Sequence, residues 1–310
     1  MIKNRNEAID FLRCASIFLV LGRHIPFSAE NAPWILKPIF DVWTQVGWVG
    51  VDFFFVVSGF LVSGLLLSDF KQEGQADPVR FLVRRGFKIY PAFYFLLIFT
   101  LCFRFATHQA MPLNALLGES LFLQNYLGNF WPHTWSLAIK EQFYIALSLI
   151  SVFALTAKQR GSPALFASIL GIIILAVASL RAYVWLCLDY EQYTHHYLTH
   201  MRVDALSFGA LIFVAFHFHK EKLFRLVKTI RTPLFIAAAA LVSPVFFFEL
   251  SENKAFLAIY LGAYLSAGIV LLLLLSAAWP DSLGKYRLGR FILACGANSY
   301  SIYLWHIPVG

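Results

Sequence analysis

An all-α, polytopic transmembrane helical bundle is the fold this sequence predicts, on three observations. Of 310 residues, 59% are hydrophobic and only 14% are charged, against about 25% charged in a soluble domain. The apolar residues gather in runs long enough for membrane helices, which need about 20 residues each. Lysines and arginines collect in alternate connections between those runs, the signature of a chain threaded through a bilayer. That composition excludes a soluble globular domain, a disordered chain and a coiled coil. The formal charge of +8 does not argue for a nucleic-acid partner, because basic residues in a membrane protein serve topology.

Nine spans are predicted, at about 9–27, 45–68, 87–107, 134–156, 164–188, 203–219, 232–250, 256–278 and 290–310. The first run is followed by Arg23, His24 and many further apolar segments, so it reads as a first span and not as a cleaved signal peptide. The stretch 113–127 is apolar but short and is expected to be interfacial or re-entrant. Connections are short, with no internal repeat and no linker rich in Gly, Ser or Pro. The expectation is one membrane-embedded domain over 1–310.

Orientation follows from counting cations on the two sides. Seventeen lie on one side, including Lys3, Arg5, Lys71, Arg80, Arg84, Arg85, Lys88, Lys158 and Arg160, and three on the other, Lys37, Arg202 and Lys254. The positive-inside rule then puts the N-terminus in the cytoplasm.

Cys14, Cys102, Cys187 and Cys295 lie in apolar runs without metal-site spacing and read as small buried hydrophobes. Ionisable residues within spans say more, because each costs a few kcal/mol in hydrocarbon and is either paired or functional. Arg13 and His24 on the first span are 11 residues apart, which returns them to nearly the same helix face about 16 Å apart along the axis. Asp52 falls in the outer third of the second span and Lys140 and Glu141 in that of the fourth. Arg202 and Asp204 fall at the outer end of the sixth, and His306 near the outer end of the ninth. Arg84, Arg85 and Lys88 precede the third span at the opposite surface.

Two polar zones follow. The basic inner zone suits a phosphate-rich ligand, since guanidinium groups bind phosphate bidentately; ordinary topological charge or contact with anionic headgroups explains it equally. The outer zone suits proton transfer, because a neutral imidazole takes a proton from a hydroxyl and a carboxylate orients the imidazolium that forms. Buried ion pairs fixing helix packing are the bland alternative. His195, His196 and His200 in an outer loop, beside Tyr193 and Tyr197, fit a wet interfacial segment better than a metal site, and no metal is expected. Trp34, Trp43 and Trp48 fit an aromatic belt at the outer boundary. His306 is open between a site-lining and an interfacial role.

Six ordered blocks carry a resemblance. They are Ile9-Asp10-Phe11-Leu12-Arg13-Cys14-Ala15 with His24 after ten further residues; Gly50-Val51-Asp52-Phe53-Phe54-Phe55-Val56-Val57-Ser58-Gly59-Phe60-Leu61; Arg84-Arg85-Gly86-Phe87-Lys88-Ile89-Tyr90-Pro91; Trp135 to Tyr144; Arg202 to Gly209; and Ser299 to His306. In these the chain resembles the acyltransferase-3 family of bacterial integral membrane O-acyltransferases, which modify surface polysaccharides, peptidoglycan, lipooligosaccharides or secondary metabolites. The resemblance implies that His24 is the catalytic histidine with Arg13 its essential companion, and that Arg84, Arg85 and Lys88 serve an acyl-CoA donor. It also implies a bacterial cytoplasmic membrane location.

Three departures from the family pattern matter. Lys88 stands where arginine is usual, keeping charge without the planar fork. Lys140 stands where the family has a glutamate, with Glu141 next to it, a shift of about 100° around a helix; either Glu141 stands in or the site is altered. The family bundle has about ten spans, so this chain reads as one helix short and C-terminally incomplete.

Together these readings point to transfer of an acyl group, acetyl first, from cytoplasmic acyl-CoA to a hydroxyl on an extracytoplasmic glycan or glycolipid. Asp52 and Glu141 are candidates to orient His24. Two alternatives stand beside this: a proton-coupled transporter of an anionic solute, using His24, Asp52, Glu141 and Asp204 as a relay, and a degenerate, non-catalytic family member.

Overall fold

The computed structural model describes residues 6–24, 34–73, 77–155, 162–189, 191–248, 256–277 and 283–309. Lys3, Arg5, Lys158, Arg160 and Lys254 lie outside the described residues. All regular structure among the described residues is helical. The chain divides into two compact units, the first built from 1–57 and 215–310 and the second from 58–214.

The first unit is organised around α1 (Glu7–His24). Ala8, Ile9, Leu12, Ser16, Ile17 and Val20 are buried along one stripe of it, the spacing of three and four that keeps residues on one helix face. Against α1 pack α2 (Lys37–Val46) and, from the C-terminal part of the chain, α11 (Phe256–Ser276), α12 (Arg287–Ala297) and α13 (Ser299–Val309). The approach is close enough to demand glycine. A Cβ on Gly296 of α12 would collide with the carbonyl oxygen of Asp10, and one on Gly50 with that of Ser16. Trp43 of α2 stacks on Phe18 at 4.5 Å between ring centroids and donates its indole N–H to the Phe18 carbonyl at 2.9 Å.

The second unit contains α4 (Pro78–Ala106), α5 (Leu113–Leu121), α6 (Gln124–Leu127), α7 (Trp135–Leu155) and α8 (Pro163–Cys187). α3 (Val49–Glu73) and α9 (Val203–Thr229) each contribute to both units. The starts of α4 and α8 are written locally: Asp77 and Ser162 accept hydrogen bonds from the Arg80 and Leu165 amides, and Pro78 and Pro163 follow as first helical residues, where a missing N–H costs nothing. α7 packs against α4, α6 and α8. At the α3–α9 contact, a Cβ on Gly59 would meet the Leu206 carbonyl.

Among the described residues, six helices are long and apolar enough to cross a membrane: 49–67 within α3, then α4, α7, α8, α9 and 259–276 within α11. The other three predicted spans take different forms. α1 has 18 residues but carries Glu7, Asp10, Arg13 and Arg23. The segment from 232 forms α10 (Arg231–Val242) followed by a 3₁₀ turn at Ser243–Phe246. The last segment breaks at Asn298 into α12 and α13. The segment 113–127 is also two pieces, because Phe122 adopts the left-handed conformation (φ 53°) and ends α5. In the most apolar windows of α4 and α8 only 22% and 17% of residues are buried, so those helices turn apolar side chains outward, as lipid contact requires.

α5 is too short to span, yet its Glu119 is buried, accepting from the Thr134 hydroxyl at 2.8 Å and the Phe130 amide at 3.3 Å. Burial pushes this carboxyl up to about 7 from 4.5. The folded state therefore keeps a proton that the unfolded chain releases. Glu119 then costs stability progressively as pH rises from 4.5 to about 7, reaching about 3 kcal/mol above that window. Glu119→Gln keeps the accepting oxygen and should be neutral at pH 5 and stabilising at pH 8, read by thermal unfolding in detergent.

Candidate active site

Each unit carries a cluster of the residues singled out from the sequence. In the first unit His24 is the last residue of α1 and is exposed. Its Nδ1 lies 3.1 Å from the Val20 carbonyl oxygen. A carbonyl only accepts, so in the neutral ring Nδ1 holds the hydrogen and Nε2 the lone pair. The ring standing beside it is His306 of α13, with centroids 5.0 Å apart and planes at 63°. His306 thus stands beside His24 in the first unit.

Arg13 lies within the same unbroken helix, so its rise of about 16 Å from His24 holds. Its guanidinium is 3.8 Å from the Asp10 carboxylate, one turn earlier. Asp52 sits in the first turn of α3 and is 1% exposed.

The second unit's cluster joins α4 to α7. Arg85 donates to the Tyr144 hydroxyl at 2.6 Å and lies over the same ring, 4.4 Å from its centroid. Tyr90 donates to Glu141 at 3.4 Å. Arg85 and Lys140 are the cations acting on Glu141, which is buried, as is Tyr144. An open groove of about 570 Å³ runs along α4, lined by Leu82, Val83, Gly86, Phe87, Tyr90, Pro91 and Tyr94. Tyr90 borders both the groove and Glu141.

This corrects the division into two separate zones. Arg84, Arg85 and Lys88 do not precede the third span; they lie inside α4, because Asp77 starts that helix nine residues before the predicted span. Arg85 is therefore about 10 Å along the helix axis, within reach of α7, and it shares one cluster with Glu141. Arg84 and Lys88 remain exposed. Of the two readings of Lys140 and Glu141, the geometry presents Glu141 to Tyr90.

A second correction concerns the loop histidines. His195 and His196 are buried, not wet, because the π-helical turn Tyr193–Tyr197 folds back onto Trp135, whose ring is 5.0 Å from that of His196. His200 stays exposed and its hydrogen-bonding neighbour is Tyr126. No group of three or more His, Cys, Asp or Glu among the described residues could hold a metal ion.

Asp204 is taken up by Arg181 of α8, at 2.9 Å, with both side chains 1% exposed. Arg181 also donates to the Met201 carbonyl. Arg181 is not among the residues singled out from the sequence, although an arginine in an apolar run is the same signal that picks out Arg13. A buried ion pair is costly to halve. Arg181→Met should cost about 3–5 kcal/mol and Arg181→Met with Asp204→Leu much less, as measured by melting temperature; equal losses would remove the pair from the account.

These clusters occupy the blocks that carry the resemblance, and comparison with known proteins extends it over nearly the whole chain. The family profile described as "Acyltransferase domain" matches residues 6–310. The chain belongs to this acyltransferase family. The acyltransferase domain is 29% identical to O-acetyltransferase OatA of Staphylococcus aureus (strain NCTC 8325 / PS 47) over 327 aligned positions, covering 97% of this chain and 50% of that protein. It is 27% identical to peptidoglycan O-acetyltransferase OatA of Listeria monocytogenes, covering 97% of this chain and 49% of that protein. It is likewise 27% identical to the putative peptidoglycan O-acetyltransferase YrhL of Bacillus subtilis, with 97% and 48% covered. The chain thus spans about half the length of the curated relatives it matches. No solved structure matches it. With its long apolar helices, this acyltransferase domain is that of a multi-pass membrane protein.

Proposed function

We propose that the chain is a membrane O-acyltransferase that moves an acyl group, acetyl first, from cytoplasmic acyl-CoA to a hydroxyl of an extracytoplasmic glycan or glycolipid, with peptidoglycan the leading acceptor. The observation that carries this is the family match over residues 6–310, together with relatives named as O-acetyltransferases, two of them of peptidoglycan. The setting is a bacterial cytoplasmic membrane, with the N-terminus on the cytoplasmic side as the distribution of Lys and Arg indicates.

His24 does the chemistry in this reading. Its carbonyl-held Nδ1 leaves Nε2 as the basic nitrogen. That nitrogen takes the proton of the acceptor hydroxyl as the oxygen attacks the thioester carbonyl, and it returns the proton to the departing thiolate. The same lone pair is placed to carry the acyl group between donor and acceptor. Arg13, whose charge is tempered by Asp10, supports α1 as the companion cation, and buried Asp52 belongs to the same proposed catalytic group. In the second unit, exposed Arg84 and Lys88 supply charge to the phosphates of CoA, while Arg85 is fixed by Tyr144. Glu141 holds the Tyr90 hydroxyl beside the α4 groove.

The test is to incubate membranes containing the 310-residue chain with labelled acetyl-CoA and follow label in thioester, protein and glycan fractions. Label entering glycan supports the proposal, and a transient protein fraction would identify an acylated intermediate. Donor binding without label in any acceptor would favour a non-catalytic protein, and flux of an anionic solute into sealed vesicles without CoA would favour a transporter.

A further inference from the structure

We infer that His306 and His24 form one proton-handling pair; the inference rests on the acyl-transfer reading of His24 and deepens it. The two rings are 5.0 Å apart, edge to face. Both are held the same way: His24 Nδ1 faces the carbonyl of Val20 on its own helix, and His306 Nδ1 faces that of Tyr303, at 2.6 Å. Since carbonyl oxygens only accept, each neutral ring is the tautomer with its lone pair on Nε2. The unit therefore carries two imidazoles of the same tautomer side by side. Their placement is built, because Tyr303 packs on the His306 ring at 5.4 Å and on Phe54 at 6.1 Å.

Once one of two neighbouring imidazoles carries a proton the other resists a second, since like charges at this separation repel. In the transfer step the hydroxyl O–H bond breaks and its proton goes to His24 Nε2. The C–O bond forms, the C–S bond breaks, and the thiolate leaves with the proton. His306 is a positioning residue in that step: a neutral ring beside the imidazolium steadies the proton while the tetrahedral intermediate exists. Other ionisable groups on the packed elements are Glu7, Asp10, Arg13, Cys14 and Arg23 on α1, and Lys37 and Asp41 on α2. To these add Asp52 on the first-unit part of α3, Tyr260 and Tyr264 on α11, Arg287, Arg290 and Cys295 on α12, and Tyr300 and Tyr303 on α13.

His306→Phe tests this, because it keeps an aromatic ring against Tyr303 and His24 while removing both ring nitrogens, and with them the bond to the Tyr303 carbonyl. In the purified full chain it should lower kcat about tenfold or more with KM for acetyl-CoA unchanged. It should also move the acid limb of the kcat–pH profile by about half a pH unit or more, and His306→Gln should recover part of the loss. A folded His306→Phe protein with full kcat and the original profile overturns the pair. A second measurement does not need turnover: carbethoxylation of His24 as a function of pH, followed by mass spectrometry, in the original chain and in whichever His306 variant folds. A shifted midpoint supports the coupling even if the chain transfers no acyl group, which would sink the reading beneath it; an unshifted midpoint overturns the coupling even if transfer is established.

Discussion

His24→Ala is expected to lower acetyl transfer by about 10²–10⁴-fold while leaving the protein folded. The size follows from the loss of a general base. The intact fold follows from position: His24 is the exposed last residue of α1, and the helix is held by its buried stripe from Ala8 to Val20 and by the close approach of Gly50 and Gly296. Truncating the imidazole removes its hydrogen bond to the Val20 carbonyl and its contact with the His306 ring but leaves the buried apolar side chains of that stripe in place. Donor binding should survive, since Arg84, Arg85 and Lys88 belong to α4. A variant that loses transfer and donor binding together would mean that the histidine shapes the protein and does not act in the chemistry.

Arg85→Met should produce the second large effect, and of a different kind. Arg85 bonds the Tyr144 hydroxyl and covers its ring, and Tyr144 is wholly buried. Removing the guanidinium takes away a hydrogen bond from a charged donor, worth about 1.5–3 kcal/mol, and a cation–π contact worth about 1–2 kcal/mol. It also takes a cation away from Glu141. Thermal stability should therefore fall and KM for acetyl-CoA should rise. Arg84 is exposed, so Arg84→Met should raise KM with little change in stability. Arg85→Lys should keep charge but not the planar fork and should fall between the two. If Arg84→Met and Arg85→Met cost the same stability, the Tyr144 contact does not matter.

What the sequence made legible was whatever depends on apolar length and on local spacing. The apolar runs at 134–156, 164–188 and 256–278 became α7, α8 and α11 within a few residues of the expected limits. Family-like blocks single out His24, Arg85 and Glu141, which lie at the end of α1 and in the cluster joining α4 to α7. What the sequence hid depends on where helices start and on which neighbours they meet. The capping Asp77 drew Arg84, Arg85 and Lys88 into α4, so one basic motif became one exposed pair of cations and one arginine packed on Tyr144. Asn298 broke an apolar run that hydropathy alone joins. The pairing of His24 with His306, some 280 residues apart in sequence, has no local signature at all. Arg181 and Glu119 are charges in apolar surroundings, a signal the sequence carries; their pairing with Asp204 and Thr134 is not written in it.

The most direct test of the central claim is the His24-dependent appearance of label from acetyl-CoA in the extracted glycan fraction, comparing the chain with its His24→Ala variant at equal donor occupancy. Label is expected in glycan with His24 present, with a loss of at least about a hundredfold without it. Equal labelling of glycan by both proteins would contradict it.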